Sequence, residues 1–426
     1  MEAAKRDVTA LTICSTSFAT LGRAQAKALG CPDLPIAVIP HPFGLRNREE
    51  VRRIAEQCVD DIARLVSGRG TEGGEASAAA ADRAKRIEAP YELEAFNEFC
   101  EERRLSDGLP LVPPTPERVE RMLRQTRRAP GEIVATVAPG FGVATVERIA
   151  INAVTAGCRP EYLPVLVAAV EAMAEPRFNL QGIQATTNPA TPWIIINGPV
   201  AREIGVNARL NCLGQGTRAN ATIGRAVRLI LQNIGGALPG DMDRATHGQP
   251  AKYTFCCAEN EAESPWEPLH VERGFSAGES TVTVVGASGT LNMNSHAKDG
   301  DDLLRVIADS MTFPTGNDYH FGGQPWVVLS PEHAEILKLG GLDKTDVKRL
   351  LWEQSGLLAS RFAARDYARA HHTRGGEFSR FSADTLLPIS LQPDDIGIIV
   401  AGGPGTHSVY VPTFGQTRAV TRAVIR

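Results

Sequence analysis

The stretch Ala19–His41, ATLGRAQAKALGCPDLPIAVIPH, decides how we interpret the start of the chain. Its first half predicts a helix that ends at Gly30, because glycine commonly terminates helices. The apolar segment Leu34–His41 predicts a short strand bounded by prolines. A strand over Val8–Phe18 precedes this pair, and an amphipathic helix over Asn47–Ser67 follows it. Strand, helix, strand and helix in this order form half of a parallel α/β domain.

The composition changes after residue 66. Residues 67–90 are rich in Gly, Ala and Ser with mixed charges, which is typical of a linker. We interpret residues 91–426 as one large α/β domain. Predicted helices cover Tyr91–Arg103, Thr115–Thr126, Thr145–Ala156, Tyr162–Ala174, Asn220–Ile234, Asp301–Met311, Pro331–Leu339 and Lys344–Gln354. Predicted strands lie within Glu132–Pro139, Thr191–Pro199, Lys252–Glu259, Ser280–Ala287, Pro325–Ser330 and Ile396–Gly403. The predicted fold class is therefore α/β, with a half-domain of Rossmann-like type in residues 1–66.

Two segments of the larger domain resemble each other. Pro139–Gly157 and Gly214–Gly236 both have a glycine-rich turn, then Ala-Thr-Val or Ala-Thr-Ile, then an arginine and an apolar stripe. Arg148 and Arg225 correspond in this comparison. Two interpretations stay open: an internal duplication, and a coincidence between two ordinary helix starts.

Composition and charge exclude several classes of protein. The chain has 426 residues, 43% apolar and 22% charged, so it can bury a large core. A net charge of −4 gives no electrostatic reason to expect nucleic acid or an anionic membrane as a partner. No apolar run is long enough to span a bilayer, and no secretion signal begins the sequence. The eight cysteines form no C-x-x-C motif. We expect a cytoplasmic protein with reduced thiols.

The glycine-rich helix start near Gly214 is a candidate anion site. Unpaired backbone N–H groups at a helix start attract anions, and arginines add bidentate donors for a carboxylate or phosphate. We therefore predict substrate binding by Arg218, Asn220 and Arg225. The alternative is a tight turn with solvated arginines. The sequence lacks a Walker loop and a dinucleotide fingerprint there.

The segment Tyr253–Gly274 is the best catalytic candidate in the larger domain. At the end of a predicted strand and in the loop that follows it lie Cys256, Glu259, Asn260 and Glu261. Residues at such a strand end can act as acid/base groups or as a reactive thiol. Apolar residues among the charges indicate that the loop packs down and buries carboxylates, whose pKa values then shift. The alternative is a solvated acidic loop. No established zinc spacing is present, so the spacing does not indicate a metal. Metal dependence stays open, and no cofactor is identified.

Two further positions complete the candidate set. Cys158 and Arg159 lie between two predicted helices, where an arginine favours a neighbouring thiolate, although a packing cysteine is the common alternative. His407 lies in a glycine-rich loop after an apolar strand and is a candidate proton carrier. Arg159 and Asn260 are counted with the substrate-binding residues.

The beginning of the chain resembles the UGSC family. The resemblance rests on F-x-x-x-x-RAQA at Phe18–Ala26, on LGCPDLP at Leu29–Pro35, on Pro-His-Pro at residues 40–42 with a glycine after it, and on the helix that follows. It covers residues 8–65. The family is named for a Sec/Cys-Gly-Ser-Cys tetrapeptide, carried in the first half of its small α/β domain. The matching residues here correspond to the second half, and C-G-S-C does not occur in this sequence.

This resemblance implies a partner. A half-domain exposes a sheet edge and an apolar surface, and both favour association. We expect a small UGSC-type polypeptide to complete the domain in a hetero-oligomer, with its sulfur or selenium near His41. The alternative is a remnant packed on the larger domain.

Three functions stay open. The first is the large subunit of a heteromeric enzyme, in which the partner's cysteine or selenocysteine performs redox or C–S chemistry on a small anionic substrate. The second is a self-contained lyase or hydrolase that uses Glu259, Glu261 and either His407 or His270. The third is a scaffold without catalytic activity for the small partner.

Overall fold

The computed structural model describes residue 6, residues 8–67 and residues 84–426. The predicted linker therefore lies largely outside the described residues, since residues 68–83 are not among them. The α/β class is confirmed, with helices and strands arranged in several small sheets.

The N-terminal unit, residues 8–67, contains the four predicted elements in the predicted order. They are β1 (Thr12–Ser15), α1 (Ala19–Ala28), β2 (Ile36–Ile39) and α2 (Arg48–Ser67). Strands β1 and β2 pair in parallel and form a sheet of two strands. Helix α1 packs closely on this sheet at Gly22, where a Cβ atom would lie 2.9 Å from the sulfur of Cys14. A glycine therefore sets the distance between helix and strand. The wider Rossmann-like arrangement stays a prediction.

The larger unit begins at residue 84. Its strands are β3 (Ile133–Val137), β4 (Gly142–Thr145), β5 (Thr191–Asn197), β6 (Cys256–Ala258), β7 (Thr281–Ala287), β8 (Leu291–Asn294), β9 (Trp326–Leu329), β10 (Leu357–Leu358), β11 (Leu386–Leu387), β12 (Gly397–Val400), β13 (His407–Val411) and β14 (Val420–Ala423). Its helices are α3 (Leu93–Glu102), α4 (Pro116–Leu123), α5 (Val146–Thr155), α6 (Leu163–Ala174), α7 (Leu180–Ala185), α8 (Pro199–Glu203), α9 (Arg218–Asn233), α10 (Leu269–Glu272), α11 (Gly300–Met311), α12 (Asn317–Phe321), α13 (Pro331–Leu339), α14 (Lys344–Gln354) and α15 (Ala364–Arg374).

Two four-stranded sheets pack face to face in the centre of this unit. Their strand orders are β14-β7-β5-β6 and β12-β9-β13-β8. Trp193 of the first sheet meets Trp326 of the second edge to face, with ring centroids 5.8 Å apart. Helices α5, α6 and α9 cover the outer face of the first sheet, and α11, α13 and α14 cover that of the second. The result is a helix–sheet–sheet–helix sandwich, which we call the four-layer unit.

The two sheets repeat one topology. In the first sheet, β5 is parallel to β6 and antiparallel to β7, and β7 pairs with β14. In the second sheet, β9 is likewise parallel to β12 and antiparallel to β13, and β13 pairs with β8. Strand β8 follows β7 in the chain but joins the other sheet, and β14 does the same after β13. Residues 191–294 and 326–423 are therefore two copies of one arrangement that exchange their last strands.

The sequence repeat at Pro139–Gly157 and Gly214–Gly236 involves different residues. Its two helices, α5 and α9, lie side by side in the first helix layer. The two copies identified by strand pairing instead share a Pro-Trp dipeptide followed by three aliphatic residues, at Pro192–Ile196 and Pro325–Leu329.

In the described parts of the chain, no helix combines the length and the apolar character needed to cross a membrane.

Candidate functional site

The site is built at the carboxyl ends of two parallel strands. Asn197 is the last residue of β5, and Glu259 directly follows β6, with its backbone N–H donating to the Ile196 carbonyl at 3.3 Å. Thr281 begins β7 and pairs with Asn197 across the sheet. The carboxyl ends of parallel strands commonly carry functional groups in α/β proteins, because the loops that follow them converge there.

Hydrogen bonds join the two predicted carboxylates. The Asn197 Nδ2 amide donates to Glu259 Oε2 at 2.6 Å and to Glu261 Oε1 at 2.9 Å. Backbone N–H groups add one bond to each carboxylate, from Leu269 to Glu259 and from Gly198 to Glu261, both at 2.7 Å. His270 on α10 is buried, with its Nδ1 3.6 Å from Glu261 Oε1. We call Asn197, Glu259, Glu261, His270 and Thr281 the carboxylate cluster.

Several polar atoms of the carboxylate cluster are buried without a partner. Among the described residues these include Asn197 Oδ1, Glu259 Oε1, Thr281 Oγ1 and both ring nitrogens of His270. An unpartnered buried polar group costs about 1–3 kcal/mol, so native proteins rarely collect several in one place without a use for them. Donors and acceptors are thus free for a ligand or ordered water.

Burial changes the acidity of Glu259. The loss of solvation and, to a smaller extent, the nearby charge of Glu261 raise its pKa, which reaches about 7. The ammonium of Lys344 and the bonds from Leu269 and Asn197 act in the opposite direction. A carboxyl group with this pKa can both donate and accept a proton near neutral pH, as general acid/base catalysis requires.

Lys344, from the second copy, lies near enough to the carboxylate cluster for its charge to lower the pKa of Glu259. It is the first residue of α14, and its ammonium donates at 2.9 Å both to Glu272 Oε2 and to the Glu267 carbonyl. Lys348 also binds Glu272. Side chains from both copies thus set the charge around Glu259.

The equivalent position in the second copy has no carboxylate. The two copies are aligned by placing Trp193 of β5 on Trp326 of β9 and following the strand pairing. In this alignment Asn197 corresponds to Ser330, Glu259 corresponds to Ala401, and Thr281 corresponds to His407. His407 is exposed, and its Nδ1 lies 3.2 Å from Asn292 Nδ2. The structure therefore places His407 in the corresponding site of the second copy and not among the residues of the carboxylate cluster.

The other predicted residues of this loop point elsewhere. Cys256 is buried in the core beneath the helices, where the loss of solvation raises its thiol pKa well above the ordinary value. Asn260 connects the two copies, since its backbone N–H donates to the Val400 carbonyl at 2.7 Å and its side chain to Glu263 at 2.8 Å. A catalytic role for Cys256 and a substrate-binding role for Asn260 stay predictions.

Cys158 and Arg218 lie at a separate cavity. Arg118, Arg121 and Arg218 line this cavity of about 210 Å³. Arg218 donates through Nε and Nη2 to the Gly157 carbonyl. The Cys158 thiol donates to the Thr222 carbonyl at 3.2 Å, and burial raises its pKa to about 12. The arginines thus meet near an open space, whereas the thiol is held in its protonated form.

The remaining predicted anion-binding residues have structural partners. Arg225 forms two bonds of 2.8 Å with the Asp107 carboxylate. Asn220 is buried and holds the preceding loop, where it bonds to the backbone of Asn207 and to the Cys212 carbonyl. Arg159 is exposed at the turn before α6. Substrate binding by these three residues stays a prediction.

A histidine and a hydroxyl group meet in the N-terminal unit. The Ser15 Oγ and His41 Nδ1 atoms lie 3.1 Å apart where β1 and β2 end, and the Phe18 ring contacts the imidazole edge to face. His41 is exposed. Its imidazole is therefore accessible at the strand ends, the place where the resemblance expects a sulfur of the partner.

Comparison with known proteins bears on this N-terminal unit. Residues 1–68 match the model of the UGSC family. The predicted resemblance of the N-terminal unit to this family is thereby confirmed. The match ends before the four-layer unit begins. The search of curated proteins gave no match to the chain.

Three residues around Glu259 were not predicted. Asn197 carried a readable signal, because it is a polar residue that directly follows the aliphatic run of β5. Thr281 and Lys344 carried none, since only the packing of β7 and α14 brings them to the site. Within the described residues, no group of three or more His, Cys, Asp or Glu side chains is placed to hold a metal ion.

Proposed function

We propose that the four-layer unit is an enzyme that performs acid/base chemistry on a small molecule at the carboxylate cluster. The observation that carries this proposal is the buried Glu259 carboxyl group, whose pKa is raised to about 7 and whose Oε1 has no protein partner. A raised pKa together with an unpartnered oxygen supports a catalytic carboxyl group, because a structural ion pair would occupy that oxygen and lower the pKa.

Each member of the cluster has a distinct task in this proposal. Glu259 exchanges a proton with the substrate through Oε1, while Asn197 and the Leu269 N–H fix its other oxygen. His270, with both ring nitrogens unpartnered, handles a second proton. The side chain of Glu261 is 23% exposed and marks the side from which a substrate approaches. A lyase or hydrolase fits two adjacent proton-transfer groups.

The test compares two glutamates of one loop. Purified wild-type chain, Glu259→Gln and Glu267→Gln are each incubated with a bacterial small-molecule extract, and substrate loss and product gain are followed by mass spectrometry. Glu267 is exposed, so its variant is the matched control. We expect the same compounds to change with wild type and Glu267→Gln and not with Glu259→Gln. Equal turnover by all three proteins would contradict the proposal.

We propose secondly that a small UGSC-type polypeptide completes the N-terminal unit and supplies a cysteine or selenocysteine. The supporting observation is the β1–β2 sheet. Parallel sheets are normally buried on both faces and contain more than two strands. Here Ile13 and Val38, in the middle of the two strands, are 50% and 37% exposed. A partner that adds strands and covers these side chains would pair the open edges of the sheet and bury its exposed apolar surface.

The partner's sulfur or selenium would act beside His41 in this second proposal. The imidazole, held near the Ser15 hydroxyl, can accept a thiol proton and so increase the population of the nucleophilic thiolate. The chain would then be the large subunit of a hetero-oligomeric enzyme for redox or C–S chemistry on a small anionic substrate.

Co-purification tests the partner. We expect a tagged chain to retain a small polypeptide with a C-G-S-C or U-G-S-C sequence when the two are co-expressed. Ile13→Asp is expected to abolish retention, and Leu339→Asp, at an exposed position of the four-layer unit, to leave it intact. A chain that is monomeric, folded and fully active without any partner would contradict this proposal.

A further inference from the structure

Three arginines line a cavity that the acid/base proposal does not use. The cavity of about 210 Å³ lies between α4, the turn that follows α5 and the start of α9. Arg118 and Arg121 come from α4, and Arg218 is the first residue of α9. We call these three side chains and the space they line the arginine cavity. It shares no residue with the carboxylate cluster.

Hydrogen bonds hold the walls of the arginine cavity in place. Arg218 donates to the Gly157 carbonyl through Nε at 3.0 Å and through Nη2 at 2.8 Å, which fastens α9 to the turn after α5. The Val112 N–H donates to the Thr155 carbonyl at 3.1 Å, which fastens the segment before α4 to the last residue of α5. The protein's own bonds therefore form the cavity, and a ligand does not have to assemble it.

The three guanidinium groups lack a counter-charge within the described residues. None of them forms an ion pair there, and Arg121 has no hydrogen-bond partner there either. Arg118 and Arg218 donate only to backbone carbonyls. Arg118 and Arg121 are three positions apart on one helix, where like charges repel each other. An anion in the cavity would remove this repulsion and accept hydrogen bonds from the free donors.

The rest of the cavity lining is mainly apolar. Val112, Met122, Val154 and Pro160 contribute to it. Met122 and Val154 are 1% and 6% exposed and belong to the core beneath the helices. Burial of one CH₂ group of a ligand against such residues improves affinity about fourfold. The cavity therefore suits an anionic group attached to a short apolar chain.

The size and charge of the arginine cavity indicate the class of ligand. A volume of about 210 Å³ has room for about seven water molecules, and pockets for drug-sized ligands measure roughly 300–1,000 Å³. A phosphate monoester carries about −1.5 to −2 charges at neutral pH and three strong acceptor oxygens. A carboxylate has a single charge and only two oxygens. Three guanidinium groups therefore match a phosphate group better than a carboxylate.

We propose that the arginine cavity binds a small molecule that carries one phosphate monoester group on a short apolar chain. The phosphate lies among the guanidinium groups of Arg118, Arg121 and Arg218, and the chain lies against Met122. The first N–H groups of α9 add to the positive potential, because the Thr217 side chain does not cap them. This inference is independent of the acid/base function proposed for Glu259.

Calorimetric titration of the full chain with n-propyl phosphate tests this binding. Inorganic phosphate lacks the apolar chain, and butyrate replaces the phosphate by a carboxylate, so these are the comparison ligands. At pH 8 we expect n-propyl phosphate to bind at least about tenfold more tightly than either of them. Between pH 8 and pH 5 the ester becomes a monoanion while arginine keeps its charge, so its affinity should fall about tenfold.

Two arginines three positions apart provide matched variants. Arg121 lines the cavity, whereas Arg124, directly after α4, is exposed and does not line it. Arg121→Gln and Arg124→Gln remove the same charge. We expect Arg121→Gln to weaken the binding of n-propyl phosphate about tenfold or more, and Arg124→Gln to change it by less than about twofold. Thermal unfolding of both variants checks that they are folded.

The titration requires no turnover, so its result does not depend on whether Glu259 is catalytic. Wild-type chain that does not bind n-propyl phosphate would overturn the proposal. Equal weakening by Arg121→Gln and Arg124→Gln would also overturn it, because it would show only a general effect of surface charge. An affinity for inorganic phosphate or butyrate equal to that for n-propyl phosphate would contradict the assigned ligand class.

Discussion

Replacing Glu259 by glutamine should change how the stability of the four-layer unit depends on pH. Folding raises the pKa of this carboxyl group from its ordinary value of 4.5 to about 7. Below pH 4.5 the group is protonated in both states, and its contribution to stability is complete. As the pH rises from 4.5 to 7, the unfolded chain releases the proton first, so stability is lost, and the loss is complete above pH 7.

The magnitude follows from the size of the pKa change. At about 1.4 kcal/mol per pH unit, the wild-type chain loses about 3 kcal/mol of unfolding free energy through this one group. Glutamine has nearly the same shape and does not ionise. The unfolding free energy of Glu259→Gln relative to wild type should therefore rise by about 3 kcal/mol between pH 4 and pH 8.

Urea unfolding measures this difference. Trp193 and Trp326 lie between the two sheets, so tryptophan fluorescence reports on the separation of the sheets. Curves are recorded at intervals across the pH range for wild type, Glu259→Gln and the exposed-loop control Glu267→Gln. Titrating groups that two of the proteins share cancel in the difference between them. If Glu259→Gln and wild type differ by the same amount at every pH, the carboxyl group is not held protonated by burial, and its proposed acid/base role loses its basis.

Three further predictions concern packing and chemistry. Arg225→Met breaks the ion pair with Asp107 and should cost about 3–5 kcal/mol of unfolding free energy. The same change at the exposed Arg349 is the control and should leave the midpoint of urea unfolding unaltered. A loss of activity without a loss of stability would instead show substrate binding by Arg225. Gly224→Ala places a Cβ atom 2.6 Å from the Phe255 nitrogen and should cost about 1–3 kcal/mol, whereas Gly289→Ala meets no atom within 4 Å and should be neutral by thermal denaturation. Alkylation of all accessible thiols should spare turnover at the carboxylate cluster in a kinetic assay, and complete inactivation would show that sulfur takes part in the reaction.

Much of the fold could be predicted because its signals are local. Helices α13 and α14 begin and end where capping and proline signals place them, at Pro331–Leu339 and Lys344–Gln354. The continuous aliphatic runs of β5, β9 and β12 predicted buried strands. Strand β8 was not predicted, because its alternation of apolar and polar residues extends over only four positions, LNMN.

Some residues of the candidate site could also be selected from local sequence, and others could not. Glu259 and Glu261 could be selected from the sequence because apolar residues alternate with carboxylates in one loop, which indicates burial of charge. The choice among the cysteines was different. Cys256 and Cys257 are neighbours with the same composition around them, and only the alternation of side chains along β6 decides which one faces the helices and which one faces the core between the two sheets.

The sequence by itself determined the local features of this protein: the α/β class, the relation of its first 68 residues to the UGSC family, and the loop that carries the carboxylates. Tertiary structure alone decided which distant groups share one low-dielectric space. The exchange of β8 and β14 between the sheets joins residues far apart in the chain, and only such packing lets the charge of Lys344 lower the pKa of Glu259. Sequence periodicity describes only the immediate neighbours of a residue, whereas burial and pKa depend on everything that packs around it.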